Sequence, residues 1–159
     1  MDFTQQYPKW FVDEFERIRA KHGARKIIQP SFHPAAFTDL TGTFTAASEH
    51  STVVTIPQKE IFVLFGFRYA TTDMERMLQY PFRMKVSDPS RQEALLPSYV
   101  FAPSVCSTAA FFSPLMVPVE LPGSSILKID IKMPEGLPGG NEYIPEIVLC
   151  GVSLLEGLL

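Results

Sequence analysis

Apolar and charged residues alternate most regularly between residues 125 and 133, in the segment SILKIDIKM. The apolar positions are Leu127, Ile129, Ile131 and Met133, and the charged positions between them are Lys128, Asp130 and Lys132. A period of two residues is typical of a β-strand that turns one face to a core and the other to water. We therefore predict a half-buried strand here, with its charged side chains in solvent.

The run KEIFVLFGFRYA, residues 59–70, is apolar at nearly every position. Strict alternation would give one face made of Ile61, Val63, Phe65, Phe67 and Tyr69 and another made of Phe62, Leu64, Gly66 and Arg68. A strand that is apolar on both faces is covered on both sides, which predicts a place in the middle of a sheet or against a partner. Gly66 inside the run indicates a bulge or the close approach of another backbone.

Weaker patterns predict the remaining strands. These lie at residues 41–46, 51–57, 81–87 and 143–155, with short pieces in SYVFA and LMVPVEL, whereas residues 71–79 fit either two turns of helix or a loop. The predicted core consists of apolar residues on the inward faces, namely Val63, Phe65, Phe67, Phe82, Met84, Leu127, Ile129, Ile131, Ile147 and Leu149.

The N-terminal segment has a different period, because its apolar residues recur at spacings of three and four. They are Tyr7, Trp10, Phe11, Phe15 and Ile18. This spacing predicts an amphipathic helix over residues 9–22, which Gly23 can end in a left-handed conformation. The apolar stripe has two alternative roles: it packs on the protein's own sheet, or it docks on a neighbouring subunit.

Eight to ten short strands with Pro and Gly between them, and no alternation of strands with helices, indicate a mainly β protein. We predict an antiparallel β-sandwich, jelly-roll-like, with one N-terminal amphipathic helix. The 159 residues match a single domain over residues 1–159, with the helix at about 9–22 as an arm.

The net charge of −3 and the pI near 5.6 provide no basic field for phosphates, so we expect no nucleic-acid partner. Both cysteines, Cys106 and Cys150, lie in apolar runs and are expected to be buried thiols rather than a disulfide. The first residues lack the pattern of a secretory signal, and no apolar run has the roughly 18 residues of a membrane span. We therefore expect a protein that is made in a cytoplasm and has no membrane partner.

The chemistry-bearing residues form no motif. His22, His33 and His50 do not have the spacing that places two ligands on one helical face. The adjacent residues Glu49, His50 and Ser51 are expected to form a solvated turn, because a catalytic triad is assembled from distant segments. We expect no catalytic, cofactor-binding or metal site, and hence no enzyme.

Three segments, IFVLFGFRY, VELPGSSILKIDIKM and EYIPEIVLCGVSL, follow one another in this chain. Their order resembles small β-sandwich virion proteins of tailed bacteriophages, the accessory proteins that decorate capsids or line head-to-tail junctions. The shared features are an aromatic central strand, a strand entered through Pro-Gly-Ser and a final strand with an Ile-Val-Leu-x-Gly core. The resemblance implies a non-catalytic subunit of a capsid, neck or tail, made in the host cytoplasm and found in the virion.

Thirteen phenylalanines and fourteen prolines are numerous for a chain of this size, and surplus apolar surface is expected where subunits meet. We predict a homo-oligomer that contacts copies of itself and other virion proteins. The candidate interface residues are Trp10, Phe11, Phe15, Ile18, Phe111, Phe112, Leu115 and Met116. The loop at residues 134–141 and the segment at residues 100–112 are expected to contribute to the same assembly.

A ligand-binding module is the alternative function. A β-sandwich can hold a small molecule or a carbohydrate among aromatic side chains, which offer flat stacking surfaces. Binding of a ligand without any assembly would favour this class.

Overall fold

The computed structural model describes residues 8–23, 26–37, 44–69, 73–107 and 113–156. These residues form two α-helices and nine strands. The helices are α1 (Lys9–Lys21) and α2 (Met74–Gln79). The strands are β1 (Lys26–Ala36), β2 (Glu49–Thr55), β3 (Glu60–Tyr69), β4 (Arg83–Asp88), β5 (Glu93–Phe101), β6 (Cys106–Ser107), β7 (Ser113–Leu121), β8 (Ile126–Lys132) and β9 (Glu146–Glu156).

The strands form two sheets with a jelly-roll order. Sheet A has the order β1-β9-β3, and both β7 and the two-residue β6 pair with the far side of β3; sheet B has the order β2-β8-β4-β5. Every pairing is antiparallel except that of β6 with β3. Two Greek-key sheets with strand order β1-β9-β3-β7 and β2-β8-β4-β5 make a jelly roll. The predicted fold class, an antiparallel sandwich with an N-terminal helix, is confirmed.

All ten predicted core residues are buried. Eight of them lie in the large apolar cluster between the sheets, and two, Val63 and Phe65, lie in a second cluster on the outward side of sheet A. The protein therefore has two cores that share sheet A.

A bulge in β3 explains how one strand serves both cores. The pairing with β7 and with β9 shifts between Leu64 and Gly66, so Phe65 is the extra residue. Before the bulge, Val63 faces outward; after it, Phe67 and Tyr69 join the cluster between the sheets. The face predicted by strict alternation is therefore wrong beyond Gly66, because the extra residue reverses the alternation.

The second core is closed by α1. The rings of Phe11 and Phe15 meet the ring of Phe65 edge-on, with centroids 5.0 and 5.3 Å apart. Ile18 completes the buried side of the helix. The helix ends at Lys21, and Gly23 after it has a φ of +80°, the left-handed conformation that was predicted. His22 Nε2, between them, lies 2.6 Å from Glu120 Oε1 on β7. These contacts attach both the middle and the end of α1 to sheet A.

Prolines account for most of the errors in the predicted strands. The sequence patterns missed β1, an 11-residue strand that contains Pro30 and Pro34. Strands β5 and β7 are longer than the predicted fragments although they contain Pro97 and Pro114, respectively. All three strands lie at the edge of a sheet, where a residue without an N–H donor is tolerated.

The segment before β2 also differs from the prediction. Of the strand expected at residues 41–46, residues 41–43 lie outside the described part of the chain, and residues 44–46 are not in a strand. Glu49, His50 and Ser51, predicted to form a turn, open β2 instead.

Candidate functional site

The structure separates the predicted interface residues of α1. Phe11, Phe15 and Ile18 are almost completely buried against their own sheet, which is the first of the two alternatives for this helix. An interface needs these three side chains at the surface, and packing on Phe65 and its neighbours removes them from it. Trp10 is the exception, since it remains 49% exposed on the same helix.

The second group of predicted interface residues is only partly within the described chain. Phe111 and Phe112 lie outside the described residues, and Met116 is described only as a backbone position of β7. Leu115 is half-buried and packs against the cluster between the sheets. Leu115 and Trp10 therefore lie on opposite sides of sheet A and do not form one surface.

The two segments expected to contribute to assembly leave the sandwich at the same end. Arg83 at the start of β4 pairs with Phe101 at the end of β5 and with Lys132 at the end of β8. The chain that follows Phe101 and the loop at residues 134–141 therefore start side by side. Within that loop Gly140 has a φ of +85°, which suits glycine.

A pocket of about 300 Å³ lies at this end of sheet B. It is lined by Pro81, Arg83, Phe101, Lys132, Met133, Pro134 and Glu135. The Arg83 guanidinium lies 4.5 Å from the centre of the Phe101 ring. Within the described residues neither Arg83 nor Lys132 forms an ion pair with a carboxylate. The pocket thus offers two cationic groups and the carboxylate of Glu135 beside an aromatic ring. The excess of positive charge suits a small ligand with an anionic group.

The outward face of sheet B is the second candidate surface. We use this name for the side chains of β2, β8, β4 and β5 that point away from sheet A. They include the exposed Val53, Ile126 and Phe101. Lys85 lies over the ring of Tyr99, with Nζ 5.1 Å from its centre. Arginine, lysine and aromatic side chains therefore stand together with isolated apolar ones on this face.

Asp130 lies on the same face. The alternation predicted that its side chain is in solvent, but the structure buries it. Its carboxylate accepts a hydrogen bond from Ser51 Oγ on β2 and lies 3.2 Å from Lys128 Nζ. Lys85 Nζ on β4 is 4.0 Å away. Cross-strand neighbours cover Asp130, so a pattern read along one strand could not show its burial.

A buried polar cluster surrounds Glu60 on the inward side of sheet A. Glu60 Oε1 lies 2.9 Å from His33 Nε2 and accepts hydrogen bonds from the hydroxyl groups of Ser31 and Ser153. The imidazole and both hydroxyls converge on one carboxylate oxygen. In a catalytic triad the imidazole stands between the hydroxyl and the carboxylate, so this arrangement positions the carboxylate rather than activating a serine.

His50 and the two cysteines are also packed against neighbouring residues in the fold. His50 packs against the ring of Phe44 with centroids 4.1 Å apart, and its Nε2 lies 2.9 Å from Ser48 Oγ. Cys106 and Cys150 are both free and buried, as expected. Burial raises the pKa of Cys150 to about 11 and raises that of Cys106 well above its usual range, so both thiols are protonated at neutral pH.

Among the described residues, no group of three or more histidine, cysteine, aspartate and glutamate side chains is arranged to hold a metal ion. None of the described helices is long and apolar enough to cross a membrane. Comparison with protein-family models finds no match for the chain, and comparison with curated proteins finds none either.

Proposed function

We propose that this protein is a non-catalytic structural subunit of a viral particle, that of a tailed bacteriophage, and that it acts through protein–protein interfaces at the capsid, neck or tail. The observation that carries the proposal is the strand order β1-β9-β3-β7 and β2-β8-β4-β5. Jelly rolls with two Greek-key sheets occur in viral capsid proteins, and also in lectins and cupins. A fold alone does not determine function, so the surface must support the choice.

The surface supports an assembly role. Among the described residues, the exposed large apolar side chains are Trp10, Phe32, Val53, Leu78, Phe101, Val117, Ile126 and Ile144. Single exposed apolar residues are common on proteins. Val53 and Ile126, however, lie at diagonal positions of β2 and β8 on the outward face of sheet B. The same face carries Arg83, Tyr99 and Phe101 on β4 and β5. Aromatic residues and arginine are enriched where proteins meet.

The direct test is the protein content of purified particles. We expect the chain to be present in a fixed number of copies per particle and to remain bound through a density gradient. Recovery of the chain only as a free protein that converts a substrate would contradict the proposal.

Trp10→Ala is expected to reduce incorporation into particles while leaving the fold intact. The side chain is half exposed, so its removal should change the free energy of unfolding by less than about 1 kcal/mol. Exposed tryptophans are frequent anchors of interfaces. Particle content and thermal unfolding should be measured together for this variant and for Leu78→Ala, which is similarly exposed on α2. Equal incorporation of wild type and Trp10→Ala would show that Trp10 is not part of the interface.

The pocket beside Arg83 and Phe101 favours a second candidate, a module that binds a small molecule or an acidic carbohydrate. In a thermal-shift panel of acidic sugars and small carboxylates, we expect any stabilising ligand to lose its effect in Arg83→Ala and Phe101→Ala. Val117→Ala, on β7, is a control for an exposed apolar residue away from the pocket. A shift that persists in both pocket variants would place the ligand elsewhere.

A further inference from the structure

The four edge strands of the sandwich differ in their proline content. β1 contains Pro30 and Pro34, β5 contains Pro97, and β7 contains Pro114 and Pro118. β2, with the sequence EHSTVVT, contains no proline. β2 also lacks lysine and arginine. Proline and lysine are the residues that keep an edge strand from pairing with another chain. Three edges are thus protected by proline, and the fourth is not.

The hydrogen bonds that flank β2 show which of its backbone groups face outward. Met133 N–H donates to Ser48 C=O, and Ile56 N–H donates to Ser125 C=O. Between these bonds the register with β8 is continuous. In an antiparallel pair the bonded positions alternate, so the even-numbered residues of β2 bond to β8. The N–H and C=O groups of Glu49, Ser51, Val53 and Thr55 therefore point to the open edge.

Within the described residues no backbone hydrogen bond reaches the outer side of these four positions. The end of β1 contacts this strand through Thr52, whose Oγ1 donates to Ala36 C=O; the Thr52 side chain is on the inward face with Val54, so this bond leaves the four outer positions open. Their side chains are exposed on the outward face of sheet B, and Val53 is 60% exposed. An arriving strand would therefore find a row of free donors and acceptors beside an accessible apolar side chain.

We propose that two copies of this chain pair through β2, antiparallel and about a twofold axis at Thr52, so that the two sheets B become one eight-stranded sheet. The twofold places Ser51 of one copy opposite Val53 of the other, and Glu49 opposite Thr55. Each residue whose N–H and C=O groups point to the open edge then pairs with another such residue, so the backbone groups of both copies are hydrogen-bonded.

The charges agree with this self-pairing. Glu49 is the only acidic residue of β2, and the twofold places it opposite Thr55 rather than opposite itself. Ser51 pairs with Asp130 of its own copy and, across the new junction, with Val53 of the other copy, which in turn pairs with Lys128. Asp130 of one copy and Lys128 of the other therefore lie in the same row across the joined sheet. No like charges face each other across the junction, so a second copy fits this edge without repulsion.

This inference deepens the proposed function, on which it rests, by naming a second copy as a partner of sheet B. The two can fail separately. A protein found in particles that does not self-associate through β2 would overturn the inference alone, whereas a β2 dimer absent from particles would overturn the proposed function.

Val53→Pro tests the pairing with little disturbance of the fold. The N–H of Val53 points outward, so proline removes a donor at the open edge and no bond to β8. Each dimer would lose two hydrogen bonds, and we expect self-association measured by sedimentation to weaken by about tenfold or more. An unchanged association constant would overturn the proposal.

A second pair of variants covers the case in which proline disturbs the strand. Val53→Lys places a charge on the open edge, and Val117→Lys places the same charge on the proline-protected edge of β7. We expect only Val53→Lys to weaken self-association. Equal effects of the two lysines, or a wild-type protein that stays monomeric at its highest soluble concentration, would contradict pairing through β2.

The register can be tested by cross-linking. Thr52 faces its own copy across the twofold in a pair that is not hydrogen-bonded, where Cα atoms are about 4.5 Å apart, within the range for a disulfide. Mild oxidation should link Thr52→Cys into a covalent dimer faster than Glu49→Cys, which faces Thr55. The two native cysteines are buried and provide little background. Equal rates for both variants would overturn this register.

Discussion

Gly151→Ala is expected to destabilise the protein by more than about 3 kcal/mol, at or beyond the upper end of the usual effect of overpacking a core. A Cβ atom at residue 151 would lie 2.0 Å from the carbonyl oxygen of Val63 and 3.0 Å from the ring of Phe62. The carbonyl belongs to the backbone of β3, the central strand of sheet A, so it cannot move away without disturbing the sheet. Urea denaturation followed by circular dichroism measures the loss.

Gly136→Ala is the matched control. Gly136 lies in the loop after β8, has no heavy atom within 4 Å of a Cβ built on it, and does not have a positive φ. This substitution should change the free energy of unfolding by less than about 0.5 kcal/mol or stabilise the protein slightly. If the two variants were equally stable, the close approach of β9 to β3 at Gly151 would be wrong.

Phe65→Ala is expected to cost about 3–5 kcal/mol, the usual range for removing a buried phenylalanine ring. Phe65 is the bulge residue of β3, and its ring contacts both Phe11 and Phe15 of α1. Its removal leaves a cavity between the helix and sheet A. The sole tryptophan, Trp10, is on α1 beside Phe11, with ring centroids 5.8 Å apart, so its fluorescence reports the docking of the helix.

Phe32→Ala provides the comparison on the same sheet. Phe32 lies in β1, and its side chain is 55% exposed. Its loss should cost less than about 1 kcal/mol. In Phe65→Ala the tryptophan signal should change at a lower urea concentration than in the wild type. Equal midpoints for Phe65→Ala and Phe32→Ala would mean that α1 does not pack on Phe65.

Regular alternation along single strands predicted much of the fold. Apolar and polar residues alternate along β8 and β4, and their inward residues, such as Ile129 and Met84, are buried as expected. Asp130 is the exception, since it is buried on the outward face. β1 has two prolines, which favour a loop on sequence grounds. It can form a strand because it lies at the edge of sheet A, where a residue without an N–H donor is tolerated. The reversal of faces after Phe65 also escaped prediction, because a glycine indicates that a bulge is possible but not which residue is the extra one.

The candidate sites were less predictable than the fold. The three partners of Glu60 are 27, 29 and 93 positions away in the sequence, and no local pattern connects them. The pocket similarly joins the ends of three strands. The apolar stripe of α1 was evident, but amphipathicity shows only that a helix face is covered, not by which subunit. The packing against Phe65 decides this for Phe11 and Phe15.

The pairing of β1 with β9 has a consequence for synthesis on the ribosome. β1 (Lys26–Ala36) pairs with β9 (Glu146–Glu156), so this pairing cannot form until more than a hundred further residues have been synthesised. β3 also lacks its partner β9 until then. Such distant pairing is slow to form and leaves hydrogen-bonding groups exposed on nascent chains. The prolines of β1 limit pairing between neighbouring nascent chains during that interval, and this protects each chain until its own β9 arrives.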